Sequence, residues 1–392
     1  MNHLDLLCAQ TLTRRHLLAA GALGAAGAAL GQGTPTFPDK SGLTVLRARP
    51  PLLETPLATL GRDVVTPNDQ FYVRWHWADI PTAVDVRSFQ LKLFGHVQRP
   101  QAIGLADILR MPRIEVTAVN QCSGNSRALF SPRVPGAQWG HGAMGCARWT
   151  GVPLRHLLDR AGVRSGAADV RFGGLDKPLA AGAPDFLKSL SVDHARAGEV
   201  LVAFAMNGEQ LPLLNGFPLR LVVPGWFSTY WVKALDSIEV LDHADDNFWM
   251  AKAYRVPTAP DATVAPDAKD FPTVPINYMP PRSWVTSLPE GQVIAYEPSI
   301  PIAGIAMGGA HGVAKVDVSS DGHRWIKATL GRDAGAYAFR QWEARVPVAA
   351  RGPVRLMSRC WNSAGAVQPL HPVWNPGGYA RSQVEVTHVT AA

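Results

Sequence analysis

The stretch VNQCSGNSR, Val119 to Arg127, places one cysteine in a polar, glycine-containing turn directly after an apolar run, with an arginine close behind. Cys122 has no CxxC neighbour. A cysteine in a turn at the C-terminal end of a strand can project its sulfur into a pocket. Three chemistries fit such a residue. It can be a buried free thiol acting as a small hydrophobe, the usual fate of a lone cysteine. It can be a nucleophile, which needs a histidine base close in space, and the 12 histidines of the chain leave that open. It can be a thiolate ligand to a soft metal centre, with Arg127 holding an anion nearby. Residue types alone rank the three in that order.

The elements that must position Cys122 are legible in the pattern. RIEVTAVNQ, Arg113 to Gln121, sets Ile114, Val116 and Ala118 at period two, so it predicts a half-buried strand ending just before the cysteine. PLRHLLDRAGV, Pro153 to Val163, has leucines at helical spacing and a glycine near its end, a short helix with a C-cap. FPLRLVVPG, Phe217 to Gly225, reads as a buried strand closed by Pro-Gly. PTAPDATVAPDAKDFPTVP, 257–275, is rich in Pro, Ala and Asp without apolar periodicity and reads as a linker between domains. Beyond it the pattern turns all-β. VAKVDVSSDGHRWIKATL alternates on both sides of Asp321-Gly322, a hairpin, and short strands recur at 292–297, 302–307, 339–346, 354–361 and 383–389. Such spacing predicts an immunoglobulin-like sandwich over 276–392.

With 392 residues the chain is long for one domain and comfortable for two. Its net charge of +7 is scattered, with no Lys/Arg block that could track a phosphate backbone, which argues against nucleic acid and for small anions or an acidic protein partner. At the N-terminus, Arg14-Arg15 precedes a weakly apolar Ala/Gly/Leu run, the pattern of a twin-arginine export signal over 1–33. The run is shorter than the roughly 20 residues a bilayer span needs, so no membrane span is expected in the mature chain. Of the 4 cysteines, Cys8 falls in the signal, and Cys122, Cys146 and Cys360 form neither a disulfide framework nor a zinc spacing.

Asn120-Gln121-Cys122-Ser123-Gly124-Asn125-Ser126-Arg127 resembles the molybdenum-ligand loop of the sulfite oxidase family. Further matches follow in the family's order: FYVRWH, GAMGCARW, GGLD, AMNGEQLPLLNGFPLRLVVPG, TYWVK, FWMAKAYRVP and the closing WNPGGY. They span nearly the whole mature chain, and the likeness is nearest to the bacterial exported sulfite:cytochrome c oxidoreductases. The resemblance implies an α+β molybdopterin-binding domain over 34–256, followed by the all-β domain as a dimerisation module. It makes Cys122 the molybdenum ligand and so reverses the ranking above.

The resemblance also assigns the surrounding residues. Arg74 and Arg127 match the two anion-pocket arginines, Trp139 a tryptophan that walls the pocket, and Tyr254 a tyrosine beside the reacting oxygen. His76, Asp176, Asn215, Arg220 and Lys233 match residues that hold the pterin and its phosphate, Asn215 standing where vertebrate members have a histidine. A planar, permanently charged guanidinium suits an oxyanion. Where vertebrate members carry a further substrate arginine, this chain has Asn375-Pro376-Gly377-Gly378.

The implied activity is that of a periplasmic sulfite dehydrogenase, passing electrons singly to a c-type cytochrome. The chain lacks CxxCH, so no haem is expected on it and the electrons leave through a separate protein, either within a heterodimer or from a homodimer. A sulfoxide reductase of the same fold, a sulfur-cycle dehydrogenase subunit and a secreted binding protein with a sandwich domain are the alternatives.

Overall fold

A computed structural model of the protein describes residue 37 and residues 39–392, so the expected export signal lies outside the described residues. The first domain rests on two five-stranded sheets. In one, Ile114–Gln121 pairs antiparallel with Met144–Pro153, which pairs with Leu201–Met206; Arg220–Val222 and Glu209–Gln210 pair with the latter. The register Asn120↔Gly145 and Gln121↔Met144 carries the ladder to the last residue before Cys122, so the cysteine leaves from a fixed strand end. In the other sheet, Leu235–Leu241 runs parallel to Gln90–Gly95 and antiparallel to Asp169–Gly174, with Lys188–Ser191 at one edge. A small sheet places Val73–Arg74 against Leu52–Glu54.

Local chemistry accounts for these elements. The helix Leu154–Ala161 buries Leu154, Leu157, Leu158 and Ala161 and ends at Gly162, whose left-handed φ of 68° accepts the C-cap conformation that the sequence predicts. The strand Leu201–Met206 is buried along its whole length, which explains its continuous apolar sequence LVAFAM.

The second domain is two antiparallel-rich sheets face to face. One holds Arg282–Val285, Ser299–Met307, Arg340–Pro347 and Thr329–Leu330; the other holds Gln292–Ile294, Val386–Ala391, Gly352–Asn362, Val313–Ser319 and Ile326–Lys327. Val285, Ile302, Trp342, Val316, Leu356 and Val389 from both sheets form one core. The predicted hairpin is present, pairing Asp317↔Lys327 and Val318↔Ile326, with Gly322 at φ 80°. The domains do not have separate interiors, since Trp284, Ile305, Met307 and Phe339 of the second join the core of the first.

The stretch expected to be a linker folds back on itself. Arg255–Pro257 pairs with Thr273–Pro275, and Val264 N donates to Trp374 O at 2.9 Å. Proline-rich composition excludes internal periodicity, but it does not prevent the two ends of a segment from pairing. The consequence for the site is direct, because the ladder begins immediately after Tyr254.

Candidate active site

Cys122 follows its strand into a turn tied at several points. Cys122 N donates to Ala143 O at 2.9 Å, Asn125 N donates to Cys122 O at 3.0 Å, and the Asn125 side chain bridges Gln121 Oε1 and Ala143 N. Ser126 closes the turn at φ 69°. The thiol is nearly buried and faces a cleft also lined by Arg74, His76, Asp176, Asn215, Arg220, Lys233 and Tyr254. Eight of the ten residues singled out in the sequence, Cys122 among them, therefore meet in one space. Arg127 and Trp139 are not among the lining side chains.

Tyr254 is held at φ 54°, an uncommon conformation for a bulky residue, with its carbonyl accepting from Ile276 N at 2.8 Å. Its hydroxyl meets His76 Nε2 and, at 3.2 Å, Arg74 Nη2. Burial holds the His76 pKa well below the usual imidazole range, and the charges of Arg74, Lys233 and Lys188 act the same way. A neutral imidazole accepts, so Tyr254 donates to His76 while it accepts from Arg74. His76 is fixed in turn by stacking on Phe186 at 3.4 Å between ring centroids.

Elsewhere in the lining, Arg220 Nη1 donates to Asn215 O at 2.9 Å, and its guanidinium lies over the Trp149 ring. Lys233 Nζ donates to Arg74 O at 2.6 Å; burial lowers its pKa to about 7, with Arg220 adding to the effect. Burial raises Asp176 to about 6, against the pull of Lys233. The lining thus concentrates cations around one carboxylate, and its hydrogen-bonding capacity is unfilled. Arg74 Nη1, Asn120 Nδ2, Ser123 Oγ, Arg220 Nε and Thr229 Oγ1 are all buried without a partner among the described residues. Buried polar groups are ordinarily paired. A ring of orphaned donors beside a thiol and several cations fits an anionic, hydrogen-bond-rich cofactor such as a pterin phosphate.

Arg127 is turned toward the second domain. Its Nε, Nη1 and Nη2 donate to the carbonyls of Gly378, Ala137 and Gly377 at 3.2 to 3.3 Å. Trp139 is fully buried in the core, and its indole N–H has no partner among the described residues.

Three further residues belong to the neighbourhood. Lys188 is fully buried, donates to Trp249 O at 2.8 Å and lies over the rings of Tyr230 and Tyr254. Lys40 reaches from the N-terminal lead-in to Asn215 Oδ1 at 2.6 Å. Tyr379 stacks on Tyr254. Lys188 left a signal, because Phe186, Lys188 and Leu190 alternate and place the lysine on an apolar face.

Comparison with known proteins agrees with this layout. Residues 77–249 match the family described as oxidoreductase molybdopterin binding domain, and residues 273–384 the Mo-co oxidoreductase dimerisation domain. Sulfite oxidase of Gallus gallus is 35% identical over 87% of this chain and 76% of its own length. The chain belongs to the sulfite oxidase family. It is therefore a molybdenum oxidoreductase of that family. Arabidopsis thaliana sulfite oxidase is 32% identical over 83% of this chain and 88% of its own length. Among solved structures, the sulfane dehydrogenase SoxCD of Paracoccus pantotrophus superposes with a TM-score of 0.73 over 92% of this chain and 93% of that one, at 24% identity, a likeness of fold. Among the described residues no helix is long and apolar enough to cross a membrane.

Proposed function

We propose that this member of the sulfite oxidase family is an exported sulfite dehydrogenase that oxidises sulfite to sulfate and passes electrons singly to a c-type cytochrome. The observation that carries the reading is the Arg74–Tyr254–His76 cluster beside Cys122. Arg74 offers a free Nη1 and a permanent charge, and Tyr254 holds a hydroxyl oriented by two neighbours. Together they suit a small tetrahedral or pyramidal oxyanion. The Arg14-Arg15 segment supports periplasmic location. The dimerisation-domain match supports a dimer, either of two copies or with a cytochrome subunit.

In this reading Cys122 holds molybdenum, Arg220 and Lys233 hold the cofactor phosphate, and Asp176, His76 and Asn215 meet the pterin edge. A bound molybdenum pterin would supply oxygen-atom transfer and two-electron redox chemistry. The chain's own contribution is positioning and charge. Arg74 draws in and orients the oxyanion, and Tyr254, its O–H given to His76, accepts from Arg74 and holds that guanidinium in place. The buried walls keep bulk water from screening either contact. Arg220, fully buried, would place a cation against the phosphate where an unpaired charge would otherwise be costly.

Sulfite-dependent reduction of ferricyanide by the molybdenum-loaded protein tests the reading, with cytochrome c as the second acceptor. Turnover that disappears in Cys122→Ala supports it. Metal-loaded protein that leaves sulfite unchanged yet reduces a sulfoxide, or oxidises sulfane sulfur, replaces it.

A further inference from the structure

The second domain stacks Tyr379, the last residue of its WNPGGY motif, on the cleft residue Tyr254. Its closing segment, Trp374 to Tyr379, is built rigidly onto the cysteine loop. Asn375 is completely buried; its Nδ2 donates to Tyr379 O at 2.9 Å and its Oδ1 accepts from Tyr379 N at 3.1 Å. Ala380 N then donates to Ser123 O at 2.9 Å, one residue from Cys122. The two glycines are required by what packs on them. A Cβ at Gly377 would stand 2.6 Å from the Tyr379 ring. Gly378, at φ 59°, would bring one to 2.8 Å from Arg127 Nε.

The outcome is a three-layer stack. The Arg127 guanidinium carbon lies 5.0 Å from the centroid of the Tyr379 ring. The same ring lies 5.3 Å from the Tyr254 ring at 25° between planes. Among the described residues Arg127 has no carboxylate partner, and its carbonyl contacts are long for a charged donor, so the ring face is a substantial part of what sets its plane. The Tyr254 ring, held at its hydroxyl by His76 and Arg74, is packed on its face by Tyr379.

We propose that Tyr379 is a positioning residue of the sulfite site, supplied by the second domain, which aligns Arg127 and Tyr254 through its ring face. The inference rests on the sulfite reading above.

The test compares the wild-type holoenzyme with Tyr379→Ala, Tyr379→Leu and Tyr379→Phe, reading kcat and KM for sulfite and, separately, the affinity of the oxidised enzyme for inorganic sulfate by calorimetry. Removing one cation–aromatic and one aromatic pair should raise KM and weaken sulfate about tenfold, with kcat changed less. Tyr379→Phe, which keeps the ring face and loses only the hydroxyl beside Arg127, should recover most of both. Tyr379→Leu fills the volume without a ring face, so it should behave like Tyr379→Ala even if the alanine variant folds poorly. Wild-type KM and sulfate affinity in the leucine variant overturn the proposal, as does a phenylalanine variant as impaired as the leucine one. A wild-type enzyme that does not oxidise sulfite sinks the substrate reading instead, and the sulfate affinities still decide the role of the ring.

Discussion

The hydroxyl of Tyr254 lies 2.5 Å from Nε2 of His76. Because His76 is kept neutral, this contact fixes the direction of the phenolic O–H and leaves its oxygen lone pairs for Arg74. Tyr254→Phe removes both contacts at once and leaves His76 Nε2 buried without a donor. Losing the contact that orients Arg74 should cost about 10²-fold in kcat, the scale of a small misplacement at a reacting site. Burial holds the Tyr254 phenol above the ordinary tyrosine range, so it stays protonated through neutral pH. The defect of the phenylalanine variant should therefore be the same from pH 6 to 9. Steady-state rates across that range check it, and a defect that grows toward alkaline pH would mean that the phenol ionises in turnover.

Arg74 differs from Arg127 in having an unused N–H in the cleft. Arg74→Met should raise KM for sulfite by about 10- to 100-fold, the worth of one charge-assisted hydrogen bond. Arg74→Lys keeps the charge without the fork and should recover only part of that loss. Lys233 bonds the backbone carbonyl of residue 74, which neither substitution removes, so cofactor content should remain at the wild-type level. Molybdenum analysis alongside the kinetics separates the two effects.

The contrast between those arginines shows what the sequence could and could not convey. The strand leading to Cys122, the helix ending at Gly162 and the Asp321-Gly322 hairpin each follow from local periodicity and turn chemistry, and each is present. The motif matches brought Arg74, His76, Asp176 and Tyr254 to one cleft although the chain separates them by up to 180 residues. Side-chain direction was not legible. Arg127 belongs to the cysteine loop, but it turns toward carbonyls of residues 377 and 378, a contact about 250 residues away in sequence. Lys188 was legible in principle, since period two puts it between Phe186 and Leu190 on a buried face; only a lysine's general preference for solvent argued against reading it so.

That lysine makes stability depend on pH. Burial lowers the Lys188 pKa from 10.5 to about 7. Below pH 7 the folded and unfolded chains both carry the proton, and the cost of burying the charge is fully present. Between 7 and 10.5 the unfolded chain binds a proton that the folded one has released, so stability rises with pH. Lys188→Met abolishes this dependence. The variant's advantage over the wild type in urea unfolding should accordingly fall by roughly 2 kcal/mol between pH 7.5 and 9. A constant difference across that interval would mean that Lys188 does not change protonation there.

A buried ion cluster ties the second domain to the cysteine loop. Arg282 donates to Glu385 Oε1 at 2.8 Å and to Ser126 Oγ at 2.9 Å, while Arg381 grips both oxygens of Glu385 at 3.0 Å. Glu385 and Arg282 differ in what their removal leaves behind. Glu385→Gln leaves two buried guanidiniums facing each other without a carboxylate and should cost about 3–5 kcal/mol. Arg282→Met leaves Glu385 paired with Arg381, so its cost in urea unfolding should be the smaller one. Arg282 also reaches Gln121 Oε1 at 3.3 Å, and Gln121 and Ser126 flank Cys122. Arg282→Met should therefore lose molybdenum on dialysis faster than Glu385→Gln does, even though it unfolds at higher urea. The two orders being the same would show that the cluster acts on stability alone and does not hold the loop.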